Sequence, residues 1–337
     1  MDELIAELRQ RQAASLELGG ASRVERQHNQ GKLTARERIA LLFDDGSFEE
    51  LGQLATHVYT PVTTIPNKHT PADGVVTGFG KIEGRQAAVV AEDFTILGGS
   101  LGINNFIKKT RMIELAQRDK LPIVWLFDGA GARTDEFIGE GLAPMHHFMD
   151  IAKLSGVTPQ IAGVLGPCAG DSSLLPAMME FIVMVEGTAM LAAGGPPLVK
   201  MGTGEDVTKE ELGGTDLHCR ISGVADNRAV DDADAIRQIR RYLSYMPTNT
   251  YEYPPYVEPE DSPDRRDEDL AGILPENKRR PYDMMKIINK VVDQDSFFEI
   301  KPDFAKMMIT GLARMNGHAV GIIANQPKVM AGAITAA

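Results

Sequence analysis

Little in this sequence would cross-link, anchor or export a protein. Its 337 residues include only two cysteines, Cys168 and Cys219. A chain of this length does not need disulfides to be stable, so we expect both to be thiols in a reducing compartment. No run approaches the roughly eighteen uncharged apolar residues of a membrane span, and the N-terminus mixes acidic, basic and apolar residues, unlike a signal peptide. We therefore expect a soluble protein that is not exported and has no membrane partner.

Basic residues are outnumbered as well. The chain has 35 lysines and arginines against 47 aspartates and glutamates, a net charge of −12, and the acidic residues are spread along the whole sequence. This balance argues against a general nucleic-acid-binding protein. Because the electrostatic field of a negatively charged protein repels anions, an anionic ligand would need backbone amides and a few basic side chains gathered in one place.

The common nucleotide-binding motifs are missing too. The sequence has no Gly-x-x-x-x-Gly-Lys-Ser/Thr and no Gly-x-Gly-x-x-Gly, which disfavours a P-loop and a dinucleotide-binding fold. A serine hydrolase would need Gly-x-Ser-x-Gly around its nucleophile, and neither Ser155 nor Ser172 supplies that motif.

Metal ligands and a cysteine nucleophile are equally hard to find. His146 and His147 are adjacent and would point in different directions on a helix, and neither cysteine has a nearby cysteine partner, so we expect no metal site. Cys168 lies between Pro167 and Ala169 with no visible base. That setting favours a small buried thiol beneath a glycine turn over a nucleophile.

What is present divides the chain into four parts. Residues 1–50 are typical of amphipathic helices with a basic stretch, residues 51–246 of an α/β domain, residues 247–280 of an extended linker, and residues 281–337 of the start of a second domain. Within the α/β part, short β-branched runs alternate with glycine-rich turns and helical stretches, a pattern typical of a largely parallel sheet. The predicted buried strands are 87–91, 123–127, 161–165 and 181–185.

A repeated segment relates the two domains. Residues 76–91 (VTGFGKIEGRQAAVVA) resemble residues 309–324 (ITGLARMNGHAVGIIA) at a constant offset of 233, and residues 42–51 match residues 291–300 at an offset of 249. We interpret this as one fold used twice. Because the second copy ends soon after residues 330–334 echo residues 97–101, we expect it to lack most of its body.

Three glycine-rich turns follow predicted strands at residues 94–102, 128–133 and 166–171. In open α/β sheets, ligands bind beyond the carboxyl ends of the strands, where glycine lets backbone amides approach a ligand closely. Such amides can stabilise a developing oxyanion or bind a phosphate. Each turn alone is a weak signal, but their occurrence after consecutive strands predicts a ligand site.

Several longer segments are more distinctive than any single turn. They are GKLTARERI (31–39), DGVVTG (73–78), DFT (93–95) with Gly98-Gly99, GPCAG (166–170), TGEDV (203–207) with ELGG (211–214), SGVA (222–225), PYDM (281–284) and NQP (325–327). With these segments the whole chain resembles the carboxyltransferase subunits of biotin-dependent acyl-CoA carboxylases, of the propionyl-CoA and methylcrotonyl-CoA type. The resemblance implies an α/β, crotonase-like fold, duplicated in tandem with the second copy incomplete here.

The resemblance also implies a mechanism and partners. In that family carboxybiotin supplies the carboxyl group and accepts the α-proton of the acyl-CoA, so no protein base and no metal is expected in this subunit. The backbone amides matching the family's thioester oxyanion hole are those of Ala130 and Gly131. Other implied features are acyl-CoA contacts at Gly98, Gly99, Arg133, Gly166 and Gly170, partner biotin carboxylase and biotin carrier subunits, a hexamer built from homodimer pairs, and a cytoplasmic or mitochondrial-matrix location.

Two departures from the family pattern lie in the expected acyl site, and two alternative functions also stay open. Ala130 stands where glycine is usual, and Asp171 replaces a glycine after Gly170. A biotin-dependent acyl-CoA decarboxylase subunit shares the fold and the carboxybiotin, and a non-catalytic CoA-binding module is a further alternative. Because the amides that bind the biotin ureido oxygen belong to the second domain of a partner subunit in that family, we expect these 337 residues alone not to catalyse carboxyl transfer.

Overall fold

The computed structural model describes residues 1–58, 70–133, 136, 147–262, 264–277 and 280–335. The chain begins with three helices, α1 (Asp2–Leu16), α2 (Ala21–Asn29) and α3 (Ala35–Leu42). At the start of α3 the Thr34 hydroxyl accepts from the Glu37 amide, and the Glu37 carboxylate accepts from the Thr34 amide. This reciprocal cap satisfies two backbone donors and explains why α3 begins within the GKLTARERI segment.

Eight strands of the described residues form one mixed sheet. They are β1 (Glu49–Leu51), β2 (Val75–Ile82), β3 (Arg85–Glu92), β4 (Ile123–Gly129), β5 (Gln160–Ala169), β6 (Phe181–Val185), β7 (Met190–Ala192) and β8 (Asn227–Ala229). Their spatial order is β1-β2-β3-β4-β5-β6-β8, with β7 beside the end of β5. The first three strands pair antiparallel and the remaining pairs are parallel. The four predicted buried strands are confirmed as parts of β3 to β6.

Helices cover both faces of the sheet. One face packs against α3 and the helix Asp232–Tyr245, and the other against α4 (Ile103–Asp119) and the helix His147–Leu154. Every residue of β4 and β6 is buried, which explains why these strands contain unbroken apolar runs instead of alternating residues. Shorter α-helices are Pro196–Thr203, Lys209–Gly213, Leu270–Ile273 and Met284–Val291.

The repeated segments have the same backbone structure. A second sheet contains β9 (Phe298–Ile300), β10 (Met308–Met315) and β11 (His318–Asn325), and the pairing of residue 309 with 324 reproduces the pairing of residue 76 with 91. Strand β9 pairs with β10 as β1 pairs with β2. The hairpin turns match as well, because a carboxylate accepts from two turn amides in each copy: Asp44 from Glu83 and Gly84, and Asp293 from Asn316 and Gly317.

The second sheet packs directly on the first domain. The Phe298 ring belongs to the core of that domain, with ring centroids 5.8 Å from Phe181 and 6.5 Å from Tyr245. The guanidinium of Arg314 donates to the carbonyls of Ser244 and Pro255. The two copies are therefore joined by a buried apolar and hydrogen-bonded contact.

Both cysteines are buried and neither forms a disulfide, as the composition predicted. Burial raises the pKa of the Cys219 thiol to about 11. Among the described residues, no helix is both long enough and apolar enough to cross a bilayer.

Candidate active site

The segments that follow β3, β4 and β5 lie together beyond the carboxyl ends of these strands, although residues 166–169 of the third predicted turn belong to β5 itself. The amide of Ala130 donates to the Gly98 carbonyl at 2.9 Å, and the amide of Leu101 donates to the Gly131 carbonyl at 2.8 Å. The turn after β5 adjoins them, since a Cβ placed on Gly170 would lie 3.6 Å from the Gly131 Cα. The turns are neighbours, as expected for consecutive parallel strands.

The two amides predicted to form the oxyanion hole have different surroundings. The Ala130 N–H is already used in the hydrogen bond to Gly98 that holds the first two turns together. Within the part of the chain that the structure describes, the Gly131 N–H has no hydrogen-bond acceptor. Gly131 has a φ of +92°, a conformation that glycine adopts without strain. Of the two predicted amides, Gly131 is therefore the one that the fold leaves for a ligand.

The Arg133 side chain forms ion pairs that link the end of this turn to neighbouring carboxylates. Its Nη1 lies 2.5 Å from Asp73 Oδ1 and 2.9 Å from Glu136 Oε1, and its Nε donates to the Ser100 hydroxyl at 3.0 Å. Burial raises the pKa of Asp73 in spite of this ion pair. Only 4% of the Arg133 side chain is exposed, and its contacts position the backbone of the turn.

Ser100 lies in a motif that inspection of Ser155 and Ser172 alone misses. Residues 98–102 read Gly-Gly-Ser-Leu-Gly, which matches the Gly-x-Ser-x-Gly of serine hydrolases. A nucleophilic serine needs a histidine or similar base within hydrogen-bonding distance. The Ser100 hydroxyl instead donates to the Leu97 carbonyl at 2.7 Å and accepts from Arg133. These contacts support a structural role.

At the other end of the turn, Asp128 is completely buried and accepts hydrogen bonds from three side chains of the N-terminal region. They are Lys32 at 2.6 Å, Arg38 at 2.8 Å and Gln27 at 2.9 Å. Arg38 also donates to Asp232 at 2.7 Å, so its guanidinium lies between two carboxylates. Burial lowers the pKa of Lys32, against the attraction of Asp128. The GKLTARERI segment thus fixes the end of β4 where the turn begins.

Gly166, expected to contact the substrate, lies inside β5 behind the turn. A Cβ at this position would be 2.0 Å from Asp128 Oδ1 and 2.7 Å from Lys32 Nζ. The close approach explains the need for glycine here in terms of packing against the buried ion pair. Of the other predicted contact residues, Gly99 is buried, and Gly98 and Gly170 are half-buried in the turns themselves.

The remaining chemically reactive side chains near the turns have structural contacts. The Cys168 thiol is buried and lies 3.4 Å from the Ser172 carbonyl oxygen, which fits the predicted buried thiol. His147 lies 3.0 Å from the Thr110 hydroxyl and stacks on Phe106, while His146 is outside the described residues. In the described ranges, no three His, Cys, Asp or Glu side chains come together as metal ligands.

Comparison with protein families gives one extended match. The model of the carboxyl transferase domain matches residues 26–337. The chain belongs to the carboxyl transferase family. The matched region includes the buried cluster around Asp128, the three glycine turns and both copies of the repeat.

Carboxyl transferase relatives resemble the chain along almost its whole length. It is 42% identical over 338 residues to the propionyl-CoA carboxylase carboxyltransferase subunit of Haloferax mediterranei, covering 99% of this chain and 64% of that protein. It is 45% identical over 316 residues to the methylmalonyl-CoA decarboxylase subunit alpha of Veillonella parvula, covering 94% of this chain and 62% of that protein. The chain therefore spans less than two thirds of these relatives.

A solved carboxyl transferase structure confirms the predicted crotonase-like α/β fold. Transcarboxylase 12S, a hexamer determined with hydrolysed methylmalonyl-CoA bound, superposes with a TM-score of 0.92 at 39% identity. The superposition covers 98% of this chain and 64% of that chain.

Sequence reasoning missed one part of this candidate site, the ionic cluster that holds the turn. Arg38 and Asp128 are 90 residues apart in sequence and are joined only in the folded chain. A detectable signal was present, because the segment 31–39 places basic residues among apolar ones that α3 buries, and a buried arginine requires a buried carboxylate.

Proposed function

We propose that this chain binds an acyl-CoA at the turn formed by residues 128–133 and takes part in transferring a carboxyl group from biotin to the α-carbon of that acyl-CoA. The observation that carries the proposal is the Gly131 N–H, which has no acceptor in the described chain and lies at the carboxyl end of a central strand. The propionyl-CoA carboxylase relatives support a short acyl group such as propionyl.

The chemistry requires a group that stabilises negative charge on the thioester. When the α-proton of an acyl-CoA is removed, charge develops on the thioester oxygen. A fixed backbone N–H aimed at that oxygen stabilises the charge without having to reorganise. Carboxybiotin on a partner subunit would supply the carboxyl group and accept the proton. The part assigned to this chain is to hold the thioester and stabilise its oxygen through Gly131.

The turn is built to keep that N–H in place. Asp128 at its start is fixed by Lys32 and Arg38, and Arg133 at its end by Asp73. Between them the Ala130 amide is bonded to the turn after β3. A donor held on both sides in this way is preorganised, which is what makes an oxyanion hole effective.

Partners and assembly extend the proposal. Transfer from biotin requires a biotin carboxylase and a biotin-carrying subunit. The transcarboxylase 12S structure is described as a hexamer, which supports a hexamer of this chain as well.

The test removes the Gly131 N–H alone. Gly131→Pro is unsuitable, because proline fixes φ near −65° and the observed φ is +92°. An ester in place of the Ala130–Gly131 amide, introduced by cell-free translation with glycolic acid, deletes the donor and keeps the backbone. We expect carboxylation of propionyl-CoA by the assembled enzyme to fall roughly 100- to 1,000-fold in kcat, with little change in KM.

The matched control is the same ester at Gly187, an exposed glycine whose φ is +73° and which has no close neighbours. It should leave kcat unchanged. If the Gly131 ester has the kcat of the unmodified enzyme, Gly131 does not contribute to an oxyanion hole and the proposal fails.

A further inference from the structure

A second buried ion pair lies behind the oxyanion turn, residues 128–133. The ammonium of Lys109, on α4, lies 2.7 Å from Glu92 Oε1 at the end of β3. Only 1% of the Lys109 side chain and 2% of the Glu92 side chain are exposed. Burying two charges costs solvation free energy that an apolar pair of the same size would not lose. A gain in stability is therefore a weak explanation for this pair, and its other contacts indicate what it does.

The Glu92 carboxylate binds the main chain where the turn begins. Its second oxygen, Oε2, accepts a hydrogen bond from the backbone N–H of Asp128 at 2.9 Å. The backbone pairing of β3 with β4 has already ended at Leu126, and the pairing of β4 with β5 shifts register between residues 127 and 129. Asp128 thus lies where the sheet is irregular, and a side chain supplies the acceptor for its amide.

The same carboxylate lies against the next residue of the turn. A Cβ placed on Gly129 would be 2.6 Å from Glu92 Oε2, so glycine is required for this close approach. The Gly131 N–H follows two residues later. Because Glu92 is buried, it does not reach a ligand itself, and any effect on the reaction passes through the backbone of residues 128–131.

Asp128 is therefore held in two different ways. Lys32 and Arg38 bind its side chain, and Glu92 binds its backbone N–H. A contact to the side chain fixes the position of the residue but leaves its backbone dihedral angles free to change. A hydrogen bond to the N–H fixes the orientation of the planar peptide group that leads into the turn. The direction of the amides that follow depends on that orientation.

We propose that the Glu92–Lys109 pair positions the Gly131 N–H for the reaction. Glu92 orients the peptide group at Asp128, and Lys109 holds the Glu92 carboxylate and neutralises it. Neutralisation matters because an uncompensated negative charge here would oppose the negative charge that develops on the thioester oxygen. The proposal rests on the function proposed above and deepens it by naming the residues that aim its hydrogen-bond donor. Both are positioning residues, since neither contacts the substrate.

The test separates the hydrogen bond from the two charges. Glu92→Leu/Lys109→Met removes the charges and the acceptor, whereas Glu92→Gln/Lys109→Met removes the charges and keeps an amide oxygen that can accept from Asp128. We expect the leucine variant to lower kcat for carboxylation of propionyl-CoA by the assembled enzyme about 10- to 100-fold, with little change in KM, because a displaced donor loses stabilisation of the transition state. The glutamine variant should recover most of that loss.

Two further variants control for stability. Ile113→Ala changes a side chain that is 1% exposed, one turn after Lys109 on α4. It should lower the midpoint of guanidinium unfolding, as the double variants do, and leave kcat unchanged. An ester in place of the Phe127–Asp128 amide, introduced with malic acid, deletes the N–H that Glu92 binds and leaves the ion pair in place. It should lower kcat as the leucine variant does, and it provides the same test if the double variants do not fold.

Unchanged kcat in the leucine variant or in the Asp128 ester would overturn the proposal, and so would an equal loss of kcat in the leucine and glutamine variants. Hydrogen exchange at the amides of residues 128–131 gives a readout that does not depend on catalysis. Exchange should be faster in the leucine variant than in the glutamine variant or Ile113→Ala, and equal exchange in the three would refute the positioning. If exchange differs as expected and the unmodified enzyme carboxylates no acyl-CoA, the proposed function fails and the positioning of the turn stands.

Discussion

Replacing Arg38 by methionine should show how strongly the N-terminal segment holds the oxyanion turn. Arg38 is completely buried between Asp128, at 2.8 Å, and Asp232, at 2.7 Å. Methionine keeps most of the aliphatic length and removes the charge. The variant therefore leaves two buried carboxylates, with Lys32 as the remaining cation on Asp128.

The expected cost follows from the burial of this pair. Removing one partner of a buried ion pair typically destabilises a protein by about 3–5 kcal/mol, because the remaining charge is left uncompensated. That range corresponds to roughly a 100- to 5,000-fold change in the ratio of folded to unfolded protein. An exposed pair is worth about 1 kcal/mol or less. Arg237→Met is the matched control, because the Arg237 side chain is 65% exposed and pairs with Asp234 on the same helix.

Guanidinium unfolding followed by tryptophan fluorescence suits this measurement. Trp125 is the only tryptophan, it is 1% exposed, and it lies in β4 three residues before Asp128. Adding Asp232→Asn to Arg38→Met should recover part of the lost stability, since it removes the buried carboxylate that loses its cation in the variant. A free energy of unfolding for Arg38→Met within about 1 kcal/mol of the unmodified protein would refute the reasoning.

Two further substitutions test packing. Gly166→Ala should destabilise the protein by about 1–3 kcal/mol or more, because the added Cβ would lie 2.0 Å from Asp128 Oδ1. Its control in the same fluorescence titration is Gly202→Ala, whose Cβ would meet nothing within 4 Å. Equal free energies of unfolding for the two variants would contradict the account. Phe298→Ala should cost about 3–5 kcal/mol and speed hydrogen exchange at the β10 amides, since Phe298 joins β9 to the core of the first domain. Tyr253→Ala, at a side chain that is 96% exposed, should do neither, and unchanged exchange in Phe298→Ala would show that the second sheet is held by other contacts.

Periodicity and repetition were sufficient to predict an α/β domain with a largely parallel sheet and an incomplete second copy, whereas the crotonase-like fold was implied by the family resemblance. The parallel strands are buried on both faces and so appear as unbroken apolar runs, which can be read directly from residues 123–127 and 181–185. The hairpin repeat was visible because the turn glycines and the carboxylates that cap them recur at fixed offsets. Both signals can be read from short segments of the sequence, without knowing which distant residues are in contact.

The details of the site depend on contacts between distant segments. The sequence places Ala130 and Gly131 together, yet only the folded chain brings the Gly98 carbonyl to Ala130 and leaves the Gly131 amide without a partner. Likewise, the sequence does not show that Arg133 pairs with Asp73, 60 residues earlier. The spacing of residues along the sequence does not show which hydrogen-bond donors are already used in contacts within the folded chain.

Polarisation of the thioester by Gly131 can be measured directly by isotope-edited infrared spectroscopy of propionyl-CoA labelled with carbon-13 at the carbonyl. On binding to the chain, the carbonyl stretch should move to lower wavenumber, because the Gly131 N–H withdraws electron density from the oxygen. The Gly131 ester should bind propionyl-CoA and leave the band at its solution position, while the Gly187 ester should show the full shift. An equal shift in the Gly131 ester and the unmodified chain would contradict the central claim.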